Sequence, residues 1–113
     1  MKLTAMLEYI KELRERNAVV GKTYYFNPDG SPNSFSGWVL SDKYGYIAGA
    51  PSSPSWSSYF NIPTSKAIDI MLANEGAAPV GLIRPRNWND MSPLDRVETL
   101  VLFWKDKRDL KDR

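Results

Sequence analysis

In 113 residues the chain has neither a cysteine nor a histidine. It therefore has no disulfide and no thiolate or imidazole zinc site to staple it. Two halves of about 55 residues without such staples would each be marginal, so residues 1–113 are expected to fold as a single domain around one apolar core. A composition of 42% hydrophobic and 25% charged residues is enough for that core and places the chain outside the disordered class. The same two absences narrow the chemistry. Cysteine nucleophiles, Ser-His-Asp triads and imidazole acid–base catalysis are excluded, leaving carboxylate, lysine, tyrosine or an oxygen-bound metal.

Leu3, Met6, Leu7, Ile10 and Leu13 recur at helical spacing and predict an amphipathic first helix that stops near Asn17. From 18 to 62 the texture changes to aromatic and β-branched runs broken by Gly, Pro, Asn and Ser, which predicts strands over 19–26, 35–40 and 46–48. Asn27, Pro28, Asp29 and Gly30 stand in the order a type I turn prefers. The Ser/Pro-rich stretch 49–58 belongs on the surface. Ala67, Ile68, Met71 and Leu72 begin a second helical stripe, with Thr64 placed as the N-cap of a helix over 65–75 and Gly76 at its C′ position. A fourth strand is predicted over 80–84. The last helix begins with Ser92 as N-cap, Pro93 at its first position and Asp95 at its third, and buries Val97, Leu100, Val101 and Trp104. Residues 105–113 form a charged tail that frays. The order α-β-β-β-α-β-α predicts an α+β fold, a small antiparallel sheet of three or four strands packed with three helices.

Motifs that carry chemistry are weak. Gly21, Lys22 and Thr23 end like a phosphate loop, but Arg16 stands where the first glycine is needed. Asp29 and Asp42 sit in turns without the alternating acids of a calcium loop. Asp29, Asp42, Asp69, Glu75 and Asp90 have no spacing that brings two of them together. No cofactor or metal is expected, nor is the chain expected to be an enzyme. Glu8, Lys11 and Glu12 interrupt any secretory apolar core, and the longest uncharged apolar run, 76–83, is far short of a membrane span. A cytoplasmic location without membrane contact follows as the expectation.

Four Trp, six Tyr and four Phe exceed what a core of this size needs, and several stand in loop-like context. Exposed Tyr and Trp suit contact surfaces. The reading is a non-enzymatic binding protein that acts on another protein as inhibitor, adaptor or assembly subunit, homo-oligomerisation included. Its surface is the aromatic Ser/Pro loop over 49–62, with contacts from Trp56, Tyr59 and Phe60, joined by Tyr25 and Trp88. One alternative is nucleic-acid or anion contact through Arg84, Arg86, Lys107 and Arg108 with Trp88 as a stacking platform. Against it, the net charge is only +1, −1 and +2 over 1–17, 18–80 and 81–113, and Asp106, Asp109 and Asp112 interleave with the terminal bases. The other is a small nucleotide-like ligand between the aromatics of the sheet and the loop after Gly49.

Overall fold

The structure is a computed structural model describing residues 3–50, 54–79 and 81–107. Its helices are α1 (Leu3–Glu15), α2 (Phe35–Tyr44), α3 (Thr64–Glu75) and α4 (Pro93–Lys107), with short 3₁₀ helices at Trp56–Phe60 and Trp88–Asp90. Among the described residues there is no strand and no sheet, so the expected α+β fold is replaced by an all-helical one.

The amphipathic helices form where their spacing puts them. α1 buries Leu3, Met6, Tyr9, Ile10 and Leu13 and ends as Asn17 turns left-handed at φ 54°. There the Asn17 N–H bonds the Arg14 carbonyl and the Ala18 N–H bonds that of Leu13, a Schellman closure. α3 closes in the same way at Gly76, at φ 111°, with the Ala77 N–H returning to Leu72. Pro63, not Thr64, is the residue before its first turn. Ser92 caps α4, its hydroxyl accepting the Asp95 N–H at 3.1 Å. The helix runs through Lys107, beyond the expected fray point at Lys105, and 108–113 of the expected tail lie outside the described residues.

The predicted strands fail for separate reasons. Residues 35–40 are the start of α2. Ser34 caps it, accepting the Gly37 N–H, and Ser34, Phe35, Ser36, Gly37, Val39 and Leu40 are all buried. A helix whose first turns are buried on both sides shows no 3.6-residue stripe there, so its aromatic and β-branched residues resemble a strand. Residues 19–26 do run out and double back through the expected turn, where the Gly30 N–H bonds the Asn27 carbonyl at 2.9 Å. The return yields only one isolated bridge, Phe26 with Pro32. Residues 46–48 and the described part of 80–84 are irregular, and Val80 lies outside the described residues.

α3 packs on α4, α1 on α4, and α2 on both α3 and the first 3₁₀ helix. Two buried polar side chains lock these layers. Asn74, on α3, accepts the Phe35 N–H at 3.0 Å and donates to the Gly21 and Lys22 carbonyls at 2.9 and 3.0 Å. Arg96, on α4, donates to the Ala73 carbonyl at 2.7 Å, to the Asn74 carbonyl at 2.9 Å and to that of Met91. The Trp88 indole N–H adds a bond to Gly76 O at 2.8 Å. The Ala73 and Asn74 carbonyls in the last turn of α3, and that of Gly76 just beyond it, are thereby bonded from outside the helix.

Replacing Asn74 with Ala leaves one buried N–H and two carbonyls without that partner, and is expected to cost about 3 kcal/mol by urea denaturation. Gly37→Ala is also expected to destabilise, because a Cβ there would stand 1.7 Å from the Tyr25 carbonyl oxygen. Relieving that overlap requires the 18–34 loop to move off α2, at a cost of about 2 kcal/mol or more in the same assay.

Candidate functional site

The aromatic residues expected to form one contact surface are divided between core and exterior. Trp56 retains 4% of its surface and Trp88 1%, and Phe60 is fully buried. Trp56 stands edge-on to Phe35 at 5.9 Å, and Trp88 is held by Gly76. These three are packing residues in this structure. Tyr59 and Tyr25 remain exposed. Tyr59 packs edge-on against Tyr44 and Phe60.

Tyr25 lies elsewhere, beside α3. Its hydroxyl points at the Met71 sulfur, 3.8 Å away. It lines a groove of about 360 Å³ that runs between the first 3₁₀ helix and α3, with Pro54, Trp56, Thr64, Ile68 and Met71 among its walls. The lining holds no charged side chain, so no cationic group there pairs with a phosphate or another anion. This is the space expected for a nucleotide-like ligand. With Trp56 buried edge-on against Phe35, no open indole face is available there for stacking.

The groove opens onto the outer face of α3. Six of the seven residues over 67–73 are apolar, more than one buried stripe can hold. Ala67, Ile70 and Ala73 turn inward with Asn74, while Ile68 is 51% and Leu72 38% exposed. Four residues apart, these two lie one above the other on the helix surface. Sequence reasoning placed Ile68, Met71 and Leu72 on the core stripe; the surplus of apolar positions was the signal that some must face outward. Asp69 and Glu75 are each three residues from Leu72 and flank it. Among the described residues neither carboxylate has an ion-pair partner.

A second cluster joins α1 to α2. Asp42 accepts the Tyr9 phenol at 2.7 Å and the Arg16 guanidinium at 2.7 Å, and Lys43 lies 4.7 Å over the Tyr9 ring and 3.8 Å from Glu12. Burial pushes the Tyr9 phenol far above its ordinary range, and the bond to Asp42 adds to the shift. Burial would also raise Asp42, but the bonds from Arg16 and Tyr9 outweigh it and hold the carboxyl below its usual range. A phenol kept protonated and a carboxylate kept ionised, each facing the other, form an interhelical tie. Asp42, expected in a turn, thus lies in the last turn of α2, while Asp29 does sit in a turn and accepts both the N–H and the hydroxyl of Ser31.

Arg84 and Arg86 are exposed on the segment between α3 and α4. Trp88 is not a platform beside them, since its ring is in the core. Lys107 ends α4, and Arg108 lies outside the described residues. Among the described residues no helix is long and apolar enough to cross a membrane, and no group of three acidic side chains gathers as a metal site. Comparison with protein-family models, with curated proteins and with solved structures found no match.

The Asp42 tie has a definite pH signature. Its carboxyl holds a proton less readily in the folded chain than in the unfolded one, where the value is about 3.9. Its contribution is therefore complete above that value and is lost as pH falls through the lower folded-state value. Asp42→Asn is expected to remove this part of the acid limb of a stability–pH curve and to cost about 1 kcal/mol at neutral pH, discounted for its partial exposure.

Proposed function

We propose that this chain is a non-enzymatic binding protein whose contact surface is the outer face of α3 with the groove beside it. The observation that carries the reading is the pairing of exposed Ile68 and Leu72 with an uncharged groove walled by Tyr25 and Met71. A rigid helix presenting apolar side chains at i and i+4 next to a hollow is a form that helical and extended protein segments recognise. The expected surface thus moves off the 49–62 loop, whose Trp56 and Phe60 support the groove from within. In this reading the partner is a protein, acted on by occupation of its surface, as inhibitor, adaptor or assembly subunit. The absence of cysteine agrees with a cytoplasmic setting. The nucleic-acid alternative has less support, because Arg84 and Arg86 lack their stacking partner.

The face is tested by placing a photo-cross-linking residue at Ile68 and, separately, at Tyr59, in cells that express the chain. Capture of a protein at position 68, lost on adding Leu72→Asp to the same chain, is the expected result. Ile68→Asp alone should leave the melting temperature nearly unchanged, since the position is half exposed and a surface substitution shifts stability by about 0.5 kcal/mol. Capture at position 59 only, unaffected by Leu72→Asp, would return the surface to the 49–62 loop.

A further inference from the structure

We infer that the α3 face receives the 82–86 segment of a second copy of this chain. The inference rests on the protein-binding reading of that face and narrows its partner to the chain itself.

The receiving face is apolar and acidic. Asp69 and Glu75 flank Leu72, and the bases of the neighbourhood do not neutralise them. Lys66, on α3, lies 5.1 Å over the Trp104 ring. Lys22, whose stem passes Gly76, makes no ion pair with Glu75. A complementary partner must bring an apolar side chain next to positive charge, since an unmatched carboxylate at an apolar contact opposes binding.

The chain carries such a segment. Leu82, Ile83, Arg84, Pro85 and Arg86 run between α3 and α4, and Ile83 is 84% exposed. At that exposure it covers little surface of its own molecule. Arg84 and Arg86 stand within three residues of it, exposed and without a carboxylate partner among the described residues. The segment is also partly shaped in advance. Pro79 is buried, the Leu82 N–H bonds the Pro79 carbonyl at 3.2 Å, and Pro85 biases Arg84 towards extended backbone. Less ordering cost therefore falls on binding. One molecule thus holds both halves of the contact, an apolar side chain with two cations and an apolar face with two anions, and any solution of the chain contains them at equal concentration.

The test is sedimentation velocity of the full chain over a concentration series at low and high salt. Mass should rise with concentration at low salt and less so at high salt, because the charges involved are exposed. Ile83→Ser should weaken association about tenfold or more, the loss expected when a buried apolar contact is removed. Two charge-reversed chains sharpen the reading: Arg84→Glu with Arg86→Glu, and Asp69→Lys with Glu75→Lys. Each alone should remain monomeric with its melting temperature kept, and combining both reversals in one chain should restore association. A wild-type chain that stays monomeric throughout, or one whose association ignores Ile83→Ser, overturns the inference. The two failures are separable. If the chain is monomeric while cross-links at position 68 still capture another protein, the face stands and only its occupant is wrong. If neither association nor capture responds to changes on α3, both readings fall.

Discussion

The carboxyl end of α3 is where the molecule is tied together, and a buried guanidinium makes the knot. Arg96 is almost wholly enclosed, yet its partners are main-chain carbonyls and no carboxylate pairs with it among the described residues. Burial lowers its affinity for its proton, but a guanidinium stays charged in proteins. Such a charge is tolerable because the last turn of a helix is a negative pole with unpaired oxygens. One side chain of α4 thereby caps α3, and the capped residue, Asn74, turns its own amide the other way to hold α2 and the 18–34 loop. Four parts of the chain meet through two side chains. All of their bonds must form together, since a network only partly satisfied at this depth is worse than none.

What could be read from the sequence divides along the same line. α1 and α4 declare themselves because one face of each is buried and the other wet, and their ends carry local signals in Asn17 and Ser92. The amphipathic half of the fold is therefore legible. α2 is not, because it is enclosed on both sides of its first turns, and its start depends on a cap plus a bond from Asn74, 39 residues away from Phe35. The 19–26 segment has strand composition but finds its hydrogen bonds in the Asn74 amide and in residues 33 and 34, so no ladder is required. β-propensity describes a fit to a half-buried surface, and an irregular segment lying across helices offers that surface too.

The candidate site was legible only as an excess. Fourteen aromatic residues suggested an exposed aromatic surface, but Trp56, Phe60 and Trp88 are buried as core supports. In a helical core without disulfides, large rings fill the angles where helices diverge, and edge-on pairs such as Phe35 with Trp56 add about 1 kcal/mol beyond burial. For these three rings the loop-like context marked packing, while Tyr24, Tyr25, Tyr44 and Tyr59 stay exposed. The proposed contact face rests on aliphatic residues instead, in a helix with more apolar positions than its buried side can take.

These two observations are connected. α3 is held at its carboxyl end by Arg96, Trp88 and the loop bonds of Asn74, and along its inner side by α4 and α2. A helix fixed on so many sides loses little freedom when something binds its remaining face. A helix at the margin of the fold could present Ile68 and Leu72 equally well, but would be ordered at the expense of the contact. In the proposed reading, the polar knot that ties α3 to α4, α2 and the 18–34 loop is thus also what holds the outer face of α3 in register for a partner.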